Sequence, residues 1–174
     1  MNIQIKISSQ LGQDLVLRSI GSDDLENLRR WKNENSAAFF HKKTITREEQ
    51  KRWFAGYLAN PDNYMFIIEH RSLAVGCIGF RMLEGSADVY NVILGDARYR
   101  RKGLMSSSLA VLCSYIADSH TKDIGIKVLK TNKAAHNFYS KNGFKVIGTD
   151  IDHDSMRLDR GYFGPLKIRV EHAG

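Results

Sequence analysis

Between residues 63 and 95 three strand-like segments follow one another, 63–70, 73–82 and 87–95, parted only by turn-prone residues such as Arg71–Ser72 and Gly85–Ser86. The pattern then changes. Gly103 to about Asp118 reads as a helix with Leu104, Leu109, Leu112, Cys113 and Ile116 on one side. Ile124–Leu129 reads as a strand, Asn132–Asn142 as a helix ended by Gly143, and Phe144–Ile147 as another strand. Hairpin-like strands followed by strand–helix–strand units predict a mixed α/β sheet flanked by helices.

Upstream, 3–7 and 14–20 read as short strands by their alternation. Ser22 is placed to cap a helix with Leu25, Leu28 and Trp31 turned inward. A second helix begins at Thr46, where Thr46 and Glu49 have the spacing of a capping box, and carries Trp53, Phe54, Tyr57 and Leu58 as its apolar stripe. Residues 155–172 supply one or two final strands. The 174 residues fit one compact domain, 1–174, and 43% hydrophobic residues suffice for a core. No apolar run reaches the length of a membrane span, and two cysteines cannot make a disulfide framework, so a cytoplasmic protein is expected. No His/Cys grouping has metal-ligand spacing, and no metal is expected.

The formal charge of +7 favours an anionic partner. Its densest cluster, Arg98, Arg100, Arg101 and Lys102, lies where the strand 87–95 turns into the helix at Gly103. A helix N-terminus has unpaired amides and partial positive charge, and normally attracts Asp or Glu. Here no acid occurs between Ala97 and Ala117. Cations crowded on the positive end are unfavourable unless an external anion sits there, and a pyrophosphate fits. Gly103 lets the backbone approach that anion, and Ser106, Ser107 and Ser108 add hydroxyls. The pattern is neither a Walker A nor a dinucleotide fingerprint. A solvated basic loop is the plain alternative.

Arg100-Arg-Lys-Gly103-Leu-Met105 resembles the Arg/Gln-x-x-Gly-x-Gly/Ala pyrophosphate loop of the GNAT superfamily of acyl-CoA N-acyltransferases. Asn132-Lys-Ala-Ala-His-Asn-Phe-Tyr-Ser-Lys-Asn-Gly-Phe144 is similar to that family's Asn-x-x-Ala-x-x-Phe-Tyr-x-x-x-Gly-Phe block, and the likeness covers about residues 63–150. Met105 departs from the usual Gly or Ala, so its side chain must point away from the phosphates. The resemblance implies a mostly antiparallel sheet splayed between the strands ending near Gly95 and Leu129. It implies acetyl-CoA as cosubstrate, its pantetheine along Ile93, Leu94 and Gly95 and its pyrophosphate on Arg100, Arg101, Lys102, Gly103, Leu104, Met105 and Ser106. It assigns cofactor contact to Asn132, whose plainer role is a helix N-cap. It assigns to Tyr139 the proton given to the leaving CoA thiolate. The base is not readable among Asp88, Tyr90, Glu69, His70 and His41. His136 reads as solvent-facing.

The N-terminal helices bear the acceptor in this reading. Leu28-Arg-Arg-Trp31-Lys-Asn33, Phe39-Phe40 and Thr46-Arg-Glu-Glu-Gln-Lys-Arg-Trp53-Phe54 resemble the arrangement in relatives that acetylate amino sugars on nucleotides for bacterial surface glycans and flagellin. Lys32 stands where those relatives have Arg. Arg30, Trp31, Asn33, His41 and Tyr90 are the implied acceptor residues, with Arg29, Lys42 and Lys43 as further cations. Trp31 and Trp53 serve equally as core anchors. The partner expected is a small-molecule amine, in a monomer or homodimer. A protein acetyltransferase of the N-terminal or ribosomal-protein branch is the alternative, and a non-catalytic nucleic-acid-binding domain, disfavoured by the two motif blocks, is the other.

Overall fold

A computed structural model describes residues 4–9, 14–39 and 43–172. All strands join one sheet: β1 (Ile5–Ser9), β2 (Leu15–Ser19), β3 (Asn63–His70), β4 (Leu73–Leu83), β5 (Ser86–Leu94), β6 (Ile124–Leu129), β7 (Phe144–Thr149), β8 (His153–Leu158) and β9 (Ile168–His172). Their spatial order is β7-β8-β6-β5-β4-β3-β2-β1-β9. Every neighbouring pair is antiparallel except β5 and β6. The helices are α1 (Leu25–Glu34), α2 (Arg47–Ala59), α3 (Leu104–Ser119) and α4 (Lys133–Lys141). This is the mixed, mostly antiparallel α/β architecture expected.

Alternation in the central strands divides the core in two. On β3, Phe66 and Ile68 point to the face covered by α3, where Leu109, Leu112 and Ile116 complete the larger cluster. Met65 and Ile67 point to the opposite face, where Leu28 and Trp31 of α1 and Tyr57 of α2 close over Cys77 and Ile93. Each face thus has its own helical cover. The capping box of α2 forms as its spacing predicts: Glu49 N–H donates to Thr46 Oγ1 at 3.2 Å, and Thr46 N–H donates to Glu49 Oε2 at 2.8 Å. Leu58, however, is exposed: of that apolar stripe only Tyr57 is buried, and Gln50 is the other α2 residue turned inward.

The start of α1 differs from expectation. Ser22 does not cap it; a short 3-10 turn over Ser22–Asp24 precedes it. The carboxylate of Asp24 accepts from Gly21 N–H at 2.8 Å and from both terminal nitrogens of Arg18 at 2.7 and 2.9 Å. Asp24 is buried, so the bidentate guanidinium is what makes a carboxylate tolerable there. The final stretch resolves into two strands that do not pair with each other. β8 lies between β6 and β7, whereas β9 crosses to the far edge and pairs with β1. No helix among the described residues is long and apolar enough to cross a membrane.

Trp31 sets α1 on the sheet. It is 2% exposed, and a Cβ built on Gly95, just past the end of β5, would fall inside its indole. Gly95→Ala therefore overpacks the joint, and denaturant unfolding should show a loss of about 1–3 kcal/mol. Shortening the ring in a Gly95→Ala/Trp31→Leu double variant should make the two costs less than additive.

Candidate active site

β5 and β6 pair only over Ala87↔Ile124, Asp88↔Gly125 and Val89↔Ile126, and then separate. The cause lies on the other side of β5. There Cys77↔Ile93 and Gly79↔Tyr90 leave Asn91 and Val92 opposite the single residue Ile78, a β-bulge, with Asn91 at φ +50°. Asn tolerates the left-handed region better than most residues, which is why it can sit inside a strand here. A bulged strand bends and twists, and beyond this one Tyr90–Leu94 have no partner strand on the β6 side. The opening is a cleft of about 480 Å³, lined by Tyr90 and Asn91 of β5, Val128 of β6, Asn132 and Tyr139 of the α4 region, and Lys32 of α1.

After β5 the chain makes a 3-10 turn at Ala97–Tyr99, and α3 starts behind Gly103. Arg101 and Gly103 lie at φ +61° and +75°, the two left-handed residues that reverse the chain. Gly103, as N-cap, has no side chain to satisfy the amides, and the first turn of α3 has no acid. Among the described residues, the N–H groups of Arg101, Gly103, Leu104, Met105 and Ser106 meet no backbone carbonyl. The cationic cluster is smaller than its four residues suggest. Arg98 is claimed by Asp96 at 2.7 Å, and that pairing holds the Asp96 carboxyl below its ordinary range. Arg100, Arg101 and Lys102 are exposed and form no ion pair among the described residues. Met105 packs against the core with Leu104, which turns its side chain away from the turn.

α4 contributes Tyr139, which is 6% exposed and packs edge-on against Phe138 and Phe144. Burial, and secondarily the nearby Cys113 thiol, push its phenol well above the usual tyrosine range, so it keeps its proton at any working pH. Asn132 caps the helix, accepting from Ala135 N–H at 3.1 Å while lining the cleft. His136 is not solvent-facing: its Nε2 lies 3.5 Å from Asp154 on β8.

On the α1 side a second cavity of about 280 Å³ adjoins the cleft, lined by Leu28, Lys32, Glu49, Gln50, Trp53 and Asn91 among others. Lys32 and Asn91 line both cavities. The Lys32 ammonium donates to Asn91 Oδ1 and lies 3.9 Å from the Phe39 ring centroid. Burial lowers its pKa from the usual 10.5 to about 8.

A family model for the acetyltransferase (GNAT) domain matches residues 14–145. The chain belongs to the GNAT acetyltransferases. A search of curated protein sequences found no match. Among solved structures, the acetyltransferase is similar in fold to apo FdhC, a nucleotide-linked sugar GNAT, at 18% identity and TM-score 0.74 over 94% of this chain and 93% of that one. It is also similar to spermidine N-acetyltransferase from Vibrio cholerae in complex with CoA and spermine (18%, TM-score 0.73, 86% and 98%). RimL, the ribosomal L7/L12 alpha-N-protein acetyltransferase in complex with coenzyme A, gives 18%, TM-score 0.70, 84% and 94%. The family assignment makes it an acetyl-CoA-dependent N-acetyltransferase.

The residues singled out on the acceptor side of this GNAT enzyme separate. Tyr90 lines the cleft, its hydroxyl bonded to Asn63. Trp31 is core, as described above, with no face free for stacking. Asn33 is a clamp: its side chain accepts from Ile45 N–H at 2.8 Å and donates to Ile45 O at 3.0 Å, fixing the approach to α2. Arg30 is exposed and donates to Asn27 at 3.2 Å, away from both cavities. Arg29 is tied to Glu26 at 2.6 Å and Lys43 lies 3.9 Å from Glu49. His41 and Lys42 lie outside the described residues. Asn91 and Gln50 were not singled out by sequence, although an Asn within an alternating strand is a bulge signal. Asn33→Ala removes two partly buried hydrogen bonds and should destabilise the enzyme by about 1–3 kcal/mol in urea titrations, while its acceptor KM rises more than its acetyl-CoA KM.

Proposed function

We propose that this chain is a single-domain, cytoplasmic enzyme that transfers the acetyl group of acetyl-CoA to the primary amine of a nucleotide-linked amino sugar. The observation that carries the cofactor half is the turn at Arg100–Ser106, where unpartnered amides and three cations without carboxylate partners converge beside the opening of the sheet. A diphosphate answers both needs at once. Arg100, Arg101 and Lys102 would neutralise it and the amides of Gly103 to Ser106 would ligate it. The backbone of Ile93, Leu94 and Gly95, beyond the bulge, would face the pantetheine amides through its groups on the β6 side, the Gly95 N–H being already given to Val75 O at 2.8 Å.

Bound there, acetyl-CoA supplies an acyl carbonyl activated as a thioester. A backbone N–H near Leu94 would steady the charge that develops on the carbonyl oxygen. Tyr139, kept protonated by burial, gives its proton to the departing sulfur. Asn132 stiffens the start of the helix that presents Tyr139.

The acceptor half rests on the second cavity. It has apolar walls, one indole (Trp53) and a few amides, the composition that suits a ring bearing hydroxyls. Glu49 is its single carboxylate among the described residues, and it is engaged in the α2 cap, whereas a polycation would require several free acids. FdhC, described as acting among nucleotide-linked sugars, supports the same branch.

Saturating acetyl-CoA should raise the melting temperature, with stabilisation of about 2.7 kcal/mol at a concentration one hundred times Kd. An Arg100→Ala/Arg101→Ala variant should bind roughly tenfold more weakly, with a shallower salt dependence. An unchanged melting temperature in the wild type would remove the cofactor site. Tyr139→Phe should lower kcat about 100-fold with Kd for acetyl-CoA nearly unaltered. In a panel of amino-sugar nucleotides, spermidine and N-terminal peptides, the fastest acceptor should be a sugar nucleotide; turnover of peptides alone would move the enzyme to the protein-acetylating branch.

A further inference from the structure

The acceptor amine must lose a proton, and the groups that sequence offers for that task are already committed. Asp88 is paired with Arg81 at 2.8 Å. Tyr90 is bonded to Asn63, and burial raises its pKa, so its phenolate is scarce. Glu69 is held by Arg18 at 2.7 Å, and neither it nor His70 lines the cleft or the adjoining cavity. His41 lies outside the described residues.

One basic group remains on both walls of the junction. Lys32 extends from α1 to the seam where the acceptor cavity meets the cleft, the same cleft that Tyr139 lines from α4. No carboxylate lies within ion-pairing distance of it among the described residues. Its amine is oriented by Asn91, the bulge residue, so the feature that opens the sheet also aims the lysine. We propose that Lys32 is the catalytic base, taking the proton that the acceptor nitrogen sheds. This rests on the acetyltransferase reading but not on the acceptor being a sugar.

The step balances. The nitrogen lone pair forms the C–N bond at the acyl carbon, the C–S bond breaks with its electron pair on sulfur, and sulfur takes the Tyr139 proton. The proton on the new amide nitrogen passes to Lys32 Nζ, and exchange with water through the cleft resets both side chains. A neutral lysine is accessible near pH 8, because burial disfavours the ammonium. The charged and titratable neighbours agree with this. Glu49 of α2 faces the same cavity but serves the cap; on β4, the Cys77 thiol is pushed up to about 12 and stays neutral, and Arg81 is paired. From the other strands, Asp88 is paired, Tyr90 is neutral, Lys127 is exposed and His153 is 2.6 Å from Asp150. Since the folded pKa is lowered, the proton is lost as pH rises through about 8, and activity should rise in that interval.

The test uses whichever amine the wild-type enzyme acetylates fastest, sugar nucleotide, peptide or polyamine, at saturating acetyl-CoA. Lys32→Met and Lys32→Arg, the second carrying a cation that cannot give up its proton, should each lower kcat about 100-fold at pH 8 with acceptor KM changed less than threefold. Acetyl-CoA should raise the melting temperature of both variants as it does in the wild type, separating this loss from failure of the cofactor site. In Lys32→Ala, added ethylamine should restore product formation and 1-propanol should not. A kcat within threefold of wild type in Lys32→Met, or equal restoration by alcohol and amine, overturns the assignment.

Discussion

One extra residue in β5 governs the architecture of the site. Without the bulge at Asn91, β5 and β6 would continue in register past Val89 and Ile126, and the sheet would be closed. With it, the backbone from Tyr90 to Leu94 is turned away from its neighbour. This stretch keeps its ladder with β4, but its polar groups on the β6 side have no strand to pair with and are left open to another partner. The cleft is therefore a consequence of backbone hydrogen bonding, and the side chains around it refine an opening already made.

The helices fit this constraint. α1 is fixed by Trp31 against Gly95, immediately beyond the parted segment, so the helix that carries Lys32 is indexed to the strand end it overlooks. α4 is fixed through Tyr139 against Phe144 at the start of β7, and its cap is Asn132. The two sides of the cleft are thus set by separate hydrophobic clusters on separate faces, which lets the α1 side vary without disturbing the helix that carries the phenol.

Much of this was legible in the residues. Local signals with short reach carry over to the structure: the Thr46–Glu49 capping box, the acid-free start of α3 at Gly103, and the helix that Gly143 follows. Signals that depend on distant partners do not. Trp31 looks alike as a stacking platform or a core anchor until Gly95 is seen beneath it. Asp96 neutralises Arg98 because a 3-10 turn folds one back on the other, which residue order alone does not specify. Asn33 reads as a recognition residue, yet its amide matches the backbone of Ile45, twelve positions on. The destination of β9 beside β1 has no local signature at all.

That last pairing bears on how the chain matures. β1 offers its outer edge to β9 across five register pairs, from Ile5↔His172 to Ser9↔Ile168. On a ribosome, then, β1 waits with an unsatisfied border while β2 to β8 are made, and long-separated contacts of this kind form late and slowly. A nascent polypeptide in that condition is exposed to edge-to-edge association with its neighbours until β9 emerges.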